Sequence, residues 1–277
     1  MDSVFLLKLV LVPLLIGIMT LVARRWGPAL AGWLSGFPVF AGPVLLIIAL
    51  EQGVPFTTVA AGGALGAVLG NALFCVVYAW ASTRYGWWLC LIVGYSAYAL
   101  IEIIILRVGL PNPILYVLTV CLLWGAVRVF PKARLVLRAA PPLWPELPIR
   151  MVSSGVLVVA ITVSAASLGP QISGLLSAVP LLATILAVFS QVTLGHGAAI
   201  QLLRGMVSGF YALATFCFVL TFSLAQWGIA LGFTAALLGA VLAQAISLKL
   251  QPPRALARQI LPEDVASGAD GCIPKSP

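Results

Sequence analysis

Charge is what this chain has least of. Only 8% of its 277 residues are charged and just 7 are acidic, against about 25% charged in a soluble domain. The apolar share is 62% and the mean hydropathy +1.15, so there is too little polar surface to face water on every side. A soluble globular protein is excluded, and the chain reads as an all-α integral membrane protein. Chemistry-bearing motifs are equally scarce. There is no G-x-x-x-x-G-K-[ST] loop for ATP, no HExxH, no acidic metal cluster and no Cys/His pair at ligand spacing, so no cofactor and no metal are expected. Ser35 and Ser177 have no His or Asp partner within the apolar runs, which argues against a serine hydrolase. The four-arginine comb of a voltage sensor is missing too. No catalytic residue is assigned, and the chain is expected not to be an enzyme.

Cysteine is present but unpaired in pattern. Four of Cys75, Cys90, Cys121, Cys217 and Cys272 lie inside apolar runs, where they read as small buried hydrophobes. The single histidine, His196, stands in LGHGAA and reads as a loop residue. The formal charge of +8 reflects loop topology, so no nucleic-acid partner is expected.

What the sequence has in abundance is long apolar runs. They continue for about 20 residues without period-two alternation, which excludes a strand barrel. The opening run VFLLKLVLVPLLIGIMTLVA is about one membrane thickness long, is followed by Arg24-Arg25, and is expected to remain as the first helix. Hydropathy places about nine spans, near 4–23, 29–50, 56–82, 87–106, 111–130, 149–168, 171–192, 205–227 and 229–250. A basic, Pro-broken connector, PKARLVLRAAPPLWPELP, separates the fifth from the sixth, and the polar stretch 251–277 reads as a disordered tail. With the N-terminus outside, 13 of the 15 Lys and Arg residues fall on the cytoplasmic side. The positive-inside rule therefore places the chain in a cell inner membrane as a multi-pass protein with a cytoplasmic C-terminus.

The chain also resembles itself. Sliding it by 142 residues aligns 8–107 with 150–249 without a gap and gives 22 identities, where so biased a composition yields about 9 by chance. GPALAGWLSGFP at 27–38 falls on GPQISGLLSAVP at 169–180, and Gly53/Gly195, Phe74/Phe216, Cys75/Cys217 and Gly86/Gly228 coincide. Five spans separate equivalent residues, an odd number, so the halves face opposite ways. The charges agree, because the inside Arg84 corresponds to an outside Gln226. The expected organisation is two inverted-topology four-helix repeats, 1–110 and 149–250, joined by a linker span and connector at 111–148.

Candidate functional residues follow from this repeat. The motif G-P-x-x-x-G-x-L-S-x-x-P recurs in spans two and seven, and its final proline removes a backbone donor about 15 Å into the span. Carbonyls near Leu34 and Ser35 are expected to lose their helical partners, and Pro43 is expected to add a second break. Interrupted helices at equivalent places in two inverted halves point to a transport site. Ser35, Gly36, Phe37, Pro38, Ser177, Ala178 and Pro180 are therefore the expected substrate-binding residues, with Asn71 as a polar neighbour. Glu102 in ALIEIIIL and its repeat partner Gln244 are the expected proton-coupling positions, since a charge inside an apolar helix is costly. Lys8 and Arg150, also repeat partners, are expected to snorkel to the headgroups. Gly32/Gly36, Gly62/Gly66/Gly70 and Gly205/Gly209 allow close helix approach.

The function these features imply is a secondary transporter or exporter of a small solute, coupled to protons or another ion. Its expected partners are the lipid bilayer, a small-molecule or ion substrate, and a second copy of the chain as a candidate. The alternatives are a membrane structural or assembly subunit and, further off, a membrane-embedded lipid-modifying enzyme.

Overall fold

The structure is a computed structural model and describes residues 3–132, 143–167 and 180–250. Ser177, Ala178, most of the connector and the tail 251–277 lie outside the described residues. Within the described residues the chain is helical throughout, with no strand. The elements are α1 (Ser3–Trp26), α2 (Pro28–Ser35), α3 (Ala41–Ser82), α4 (Trp87–Val108), α5 (Asn112–Val129), α6 (Leu143–Ser167), α7 (Leu181–Leu194) and α8 (His196–Leu250). Five helices are long and apolar enough to cross a membrane, and α7 is a shorter apolar helix. Their outer faces carry bare aliphatic side chains such as Leu100, Leu106, Val117 and Leu238. Faces of that kind suit hydrocarbon and not water.

Two helices are far longer than a bilayer is thick. The 42 residues of α3 and 55 of α8 would run about 63 and 80 Å at 1.5 Å per residue, against a core of about 30 Å. Each is broken by a glycine. Gly53 takes φ 82° inside α3 and Gly228 takes φ 73° inside α8, values an L side chain resists. The two breaks fall within three residues of expected span ends, whereas the pieces starting at Ala41 and His196 begin 12 residues after and 9 residues before the expected starts at 29 and 205.

The interior is built where α3 packs on α4 and α8. Leu65, Phe74, Cys75 and Tyr78 of α3 meet Leu203, Met206, Phe216, Cys217 and Leu220 of α8 in one fully buried cluster. On the other side α1 packs along α6. A methyl group added at Gly17 would lie 3.4 Å from Met151 Sδ, and one at Gly155 would lie 3.9 Å from Pro13 Cγ. Further along, Thr20 meets Arg150 and Arg24 meets Glu146. Partner numbers fall as α1 numbers rise, so the two helices run antiparallel.

The closest backbone contact joins α2 to α8. A Cβ at Gly32 would collide with Leu202 O, at Gly36 with Gly209, at Gly205 with Ala29 O and at Gly209 with Trp33 O. Four glycines thus bring two helices to van der Waals contact, the small-residue packing that replaces hydrophobic driving force in lipid. Gly205→Val is expected to cost about 2 kcal/mol or more by overpacking this seam. Gly125→Ala, whose methyl meets nothing within 4 Å, should change stability by less than about 0.5 kcal/mol. Thermal unfolding of the purified variants in detergent measures both.

Candidate functional site

The second expected span is two helices. Pro28 opens α2 just after Gly27, where its missing N–H costs nothing. The helix stops at Ser35, and 36–40 forms a non-helical turn before α3 begins at Ala41. By length α2 spans about 12 Å and the piece 41–52 about 18 Å. The interruption therefore falls in the interior of a stretch long enough to cross the membrane. Pro38 lies in the turn itself. Pro43 does not make a second break, because it falls in the first turn of α3, which accommodates its ring; it only withdraws a donor from the turn before the helix.

The fate of the carbonyls around the turn can be followed one by one. Leu34 O would ordinarily accept from residue 38, a proline, and instead accepts the Phe37 N–H at 3.1 Å. That takes the donor away from Trp33 O, which accepts the Gln244 side-chain amide at 2.9 Å. Ser35 O loses its helical donor because the Val39 N–H turns to Phe37 O at 2.7 Å. Val39 O faces Pro43, which has no hydrogen to give. Leu34 O and Ser35 O thus both lose their helical donors, and Leu34 O takes the Phe37 N–H as a replacement. The polar positions whose helical donors are withdrawn without a backbone replacement are the carbonyls of Ser35 and Val39. The Ser35 hydroxyl donates to Ala31 O at 2.7 Å, leaving its oxygen lone pairs to accept.

The other expected residues sort around this turn. Gly36 and Pro38 are buried, with Gly36 flush against Gly209. Phe37 packs partly buried on the core. Pro180 directly precedes α7, and its carbonyl accepts the Thr184 N–H at 2.8 Å. Gln244 is buried and spends its amide on Trp33, while its own Oε1 is sealed off without a partner. Ser247, one turn on, accepts the Trp33 indole N–H at 3.1 Å. Trp33 is therefore gripped from both its backbone and its ring by the last segment of α8. Sequence reasoning missed it, although its place two residues before the motif serine was in view.

Glu102 sits elsewhere, in the seam between α3 and α4. It is 7% exposed, and both its Oε1 and the ring of Tyr98 press on the bare face of Gly70. Tyr98 is one turn before Glu102 on the same face, a spacing that could have flagged it. Glu102 Oε1, Tyr98 Oη and the Oδ1 of neighbouring Asn71 are all sealed from solvent without a hydrogen-bond partner. Buried oxygens in that state are rare in folded proteins.

Two peripheral readings change. Arg150 does not snorkel. It is 3% exposed and ion-paired with Glu146, which also holds Arg24. Lys8 is described by its backbone alone. Glu146 was overlooked, though it is the sole acid between 131 and 150. His196 opens α8 directly after Gly195, so the loop there is a single residue.

Gln244→Leu is expected to strand the Trp33 carbonyl and cost about 1–3 kcal/mol. Ser247→Ala, which leaves only an indole N–H unpartnered, should cost about 1 kcal/mol. Denaturant or thermal unfolding in detergent ranks the two. Compared with known proteins, the chain matches no family model, no curated protein and no solved structure.

Proposed function

We propose that the chain is a secondary transporter of a small solute in a cell inner membrane. In this reading it has about nine spans, with the N-terminus outside and the C-terminus cytoplasmic. The observation that carries the reading is the interrupted helix at 36–40, where Ser35 and Val39 carbonyls have lost their helical donors. Irregular backbone at membrane depth persists only where protein buries it or a cavity needs it. Carbonyls of that kind bind solutes and ions in transporters with broken helices.

Matching features in the two halves support this reading and the inverted repeat it contains. Gly53 and Gly195, which are 142 residues apart, share one unusual conformation, φ 82°, ψ 173° and φ 94°, ψ 171°. The equivalent Gly86 and Gly228 both interrupt helix. Pro38 and Pro180 each accept the N–H four residues on at 2.8 Å as a helix begins. Phe74/Phe216 and Cys75/Cys217 are buried alike. Pro13 touches Gly155, its own counterpart, in an antiparallel helix pair. Contact between equivalent residues is what a two-fold axis passing between them produces.

In this reading the solute lodges at Ser35–Pro38 and the matching Ser177–Pro180, which includes Ala178, and Glu102 carries the coupling proton. The comparison with Gln244 supports that last role. Both counterparts are buried, at 7% and 6%, and Gln244 donates a hydrogen bond. A carboxyl group can donate likewise only while it holds a proton. One specific observation favours a structural subunit instead: Gly36 is seated on Gly209 and Gln244 caps Trp33, so part of the interruption serves packing.

The two readings part on transport. Purified protein in proteoliposomes, offered a panel of labelled small solutes under a proton gradient, is expected to move at least one of them. Glu102→Gln, which copies the residue of the other half, is expected to fold and to lose gradient-driven movement by about 100-fold, while passive exchange survives. Full gradient-driven activity in that variant would remove the coupling role, and no movement of any solute by the native chain would favour the structural reading.

A further inference from the structure

A second polar site lies where α1, α6 and α7 meet, apart from the interrupted helix. Glu146 Oε2 accepts from Arg24, and its Oε1 accepts from Arg150. The Arg150 guanidinium also donates to Thr20 Oγ1 at 3.4 Å and Thr193 Oγ1 at 3.3 Å, and lies 5.1 Å from the Phe189 ring centre. Both threonine hydroxyls have already given their protons, Thr20 to Ile16 O and Thr193 to Phe189 O, each at 2.7 Å. They offer Arg150 lone pairs and no charge.

The charge in this cluster does not balance. Two guanidiniums share one carboxylate, and the other carboxylates whose side chains are described, Glu51 and Glu102, stand on α3 and α4. The cluster therefore carries a net charge of about +1, which burial makes costly unless an anion offsets it. A donor is also left over. Arg150 Nε is sealed from solvent with no partner, and the Arg150 side chain is only 4% exposed. The Arg24 side chain is 21% exposed, so the cluster is open on that side. It occupies the last turns of α1 and the first turns of α6, the depth at which helices leave hydrocarbon for the headgroup layer.

We propose that Arg24 and Arg150 form an oxyanion site that takes a phosphate-type group. Guanidinium forks match tetrahedral oxyanions as several parallel charge-assisted hydrogen bonds. Arg150 Nε and the N–H groups of Arg24 not turned to Glu146 are the donors. Glu146 is the anion already present, and by engaging one N–H group of each fork it competes with an incoming oxyanion. The anion comes either from solution or from the phosphodiester of an acidic lipid. This site does not rest on the transport reading.

The test is thermal unfolding of the full chain. In neutral detergent, phosphate is titrated against gluconate at constant ionic strength. In nanodiscs, phosphatidylcholine alone is compared with phosphatidylcholine plus phosphatidylglycerol, without phosphate. A saturable rise of several degrees with phosphate assigns a solution anion, and a rise with phosphatidylglycerol assigns a lipid. Arg24→Lys keeps the charge and loses the fork, and should weaken the apparent affinity at least about five-fold. Glu146→Gln removes the opposing charge and should tighten it by about the same factor, an effect that a purely structural ion pair would not produce. The native-chain titrations stand even if a variant fails to fold. No stabilisation by either source in the native chain, or unchanged affinity in both variants, overturns the proposal.

Discussion

Every backbone N–H and C=O that enters hydrocarbon must find a partner inside the protein, and among the described residues the turn at 36–40 is where two carbonyls lose their helical donors without a backbone replacement. A proline at 38 and another at 43 remove two donors from one short stretch. The local answer is a tightened last turn, Phe37 N–H to Leu34 O. The long-range answer comes from over two hundred residues away, where Gln244 reaches the Trp33 carbonyl. Four glycines then press α2 onto α8 so closely that no side chain fits between them. The interruption thus withdraws the helical donors of the Ser35 and Val39 carbonyls at the place where α2 is pressed most closely onto α8.

This junction organises the rest of the bundle. The first segment of α8 packs on α2 through Gly205 and Gly209, and its last segment clamps Trp33 through Gln244 and Ser247. The break at Gly228 lets one helix do both. On the far side of α3, Glu102 and Tyr98 close over Gly70 with oxygens that have no partner. The two buried polar positions 102 and 244 each leave an oxygen without a partner, but only Gln244 also donates a hydrogen bond. An amide carries its own hydrogens, and a carboxylate must borrow one.

Much of this was legible in the sequence because membrane helices are written in long apolar runs and their faults in Gly and Pro. The run ends, the interruption near Pro38 and the helix breaks near Gly53 and Gly86 follow from those two signals. The partners were not legible. Which carbonyl Gln244 caps depends on how two helices cross, and a one-dimensional pattern carries no crossing angle. Pro43 reads as a break in sequence but does not interrupt α3, because its effect depends on whether a helix has already begun. Arg150 was misread for a related reason. A cation near a span end snorkels when nothing pairs with it, and its carboxylate, Glu146, stood in a connector that reads only as basic.

The central claim is that the interruption at 36–40 is a wet solute site reached from the two sides of the membrane in turn. Ser35→Cys, in a background without the five native cysteines, puts one thiol at that point. Reaction with a membrane-impermeant maleimide added from either side of sealed vesicles measures its access directly. The account predicts labelling from both sides, slowed by transported solute. A thiol that reacts from neither side, although the variant is folded and inserted, would contradict it.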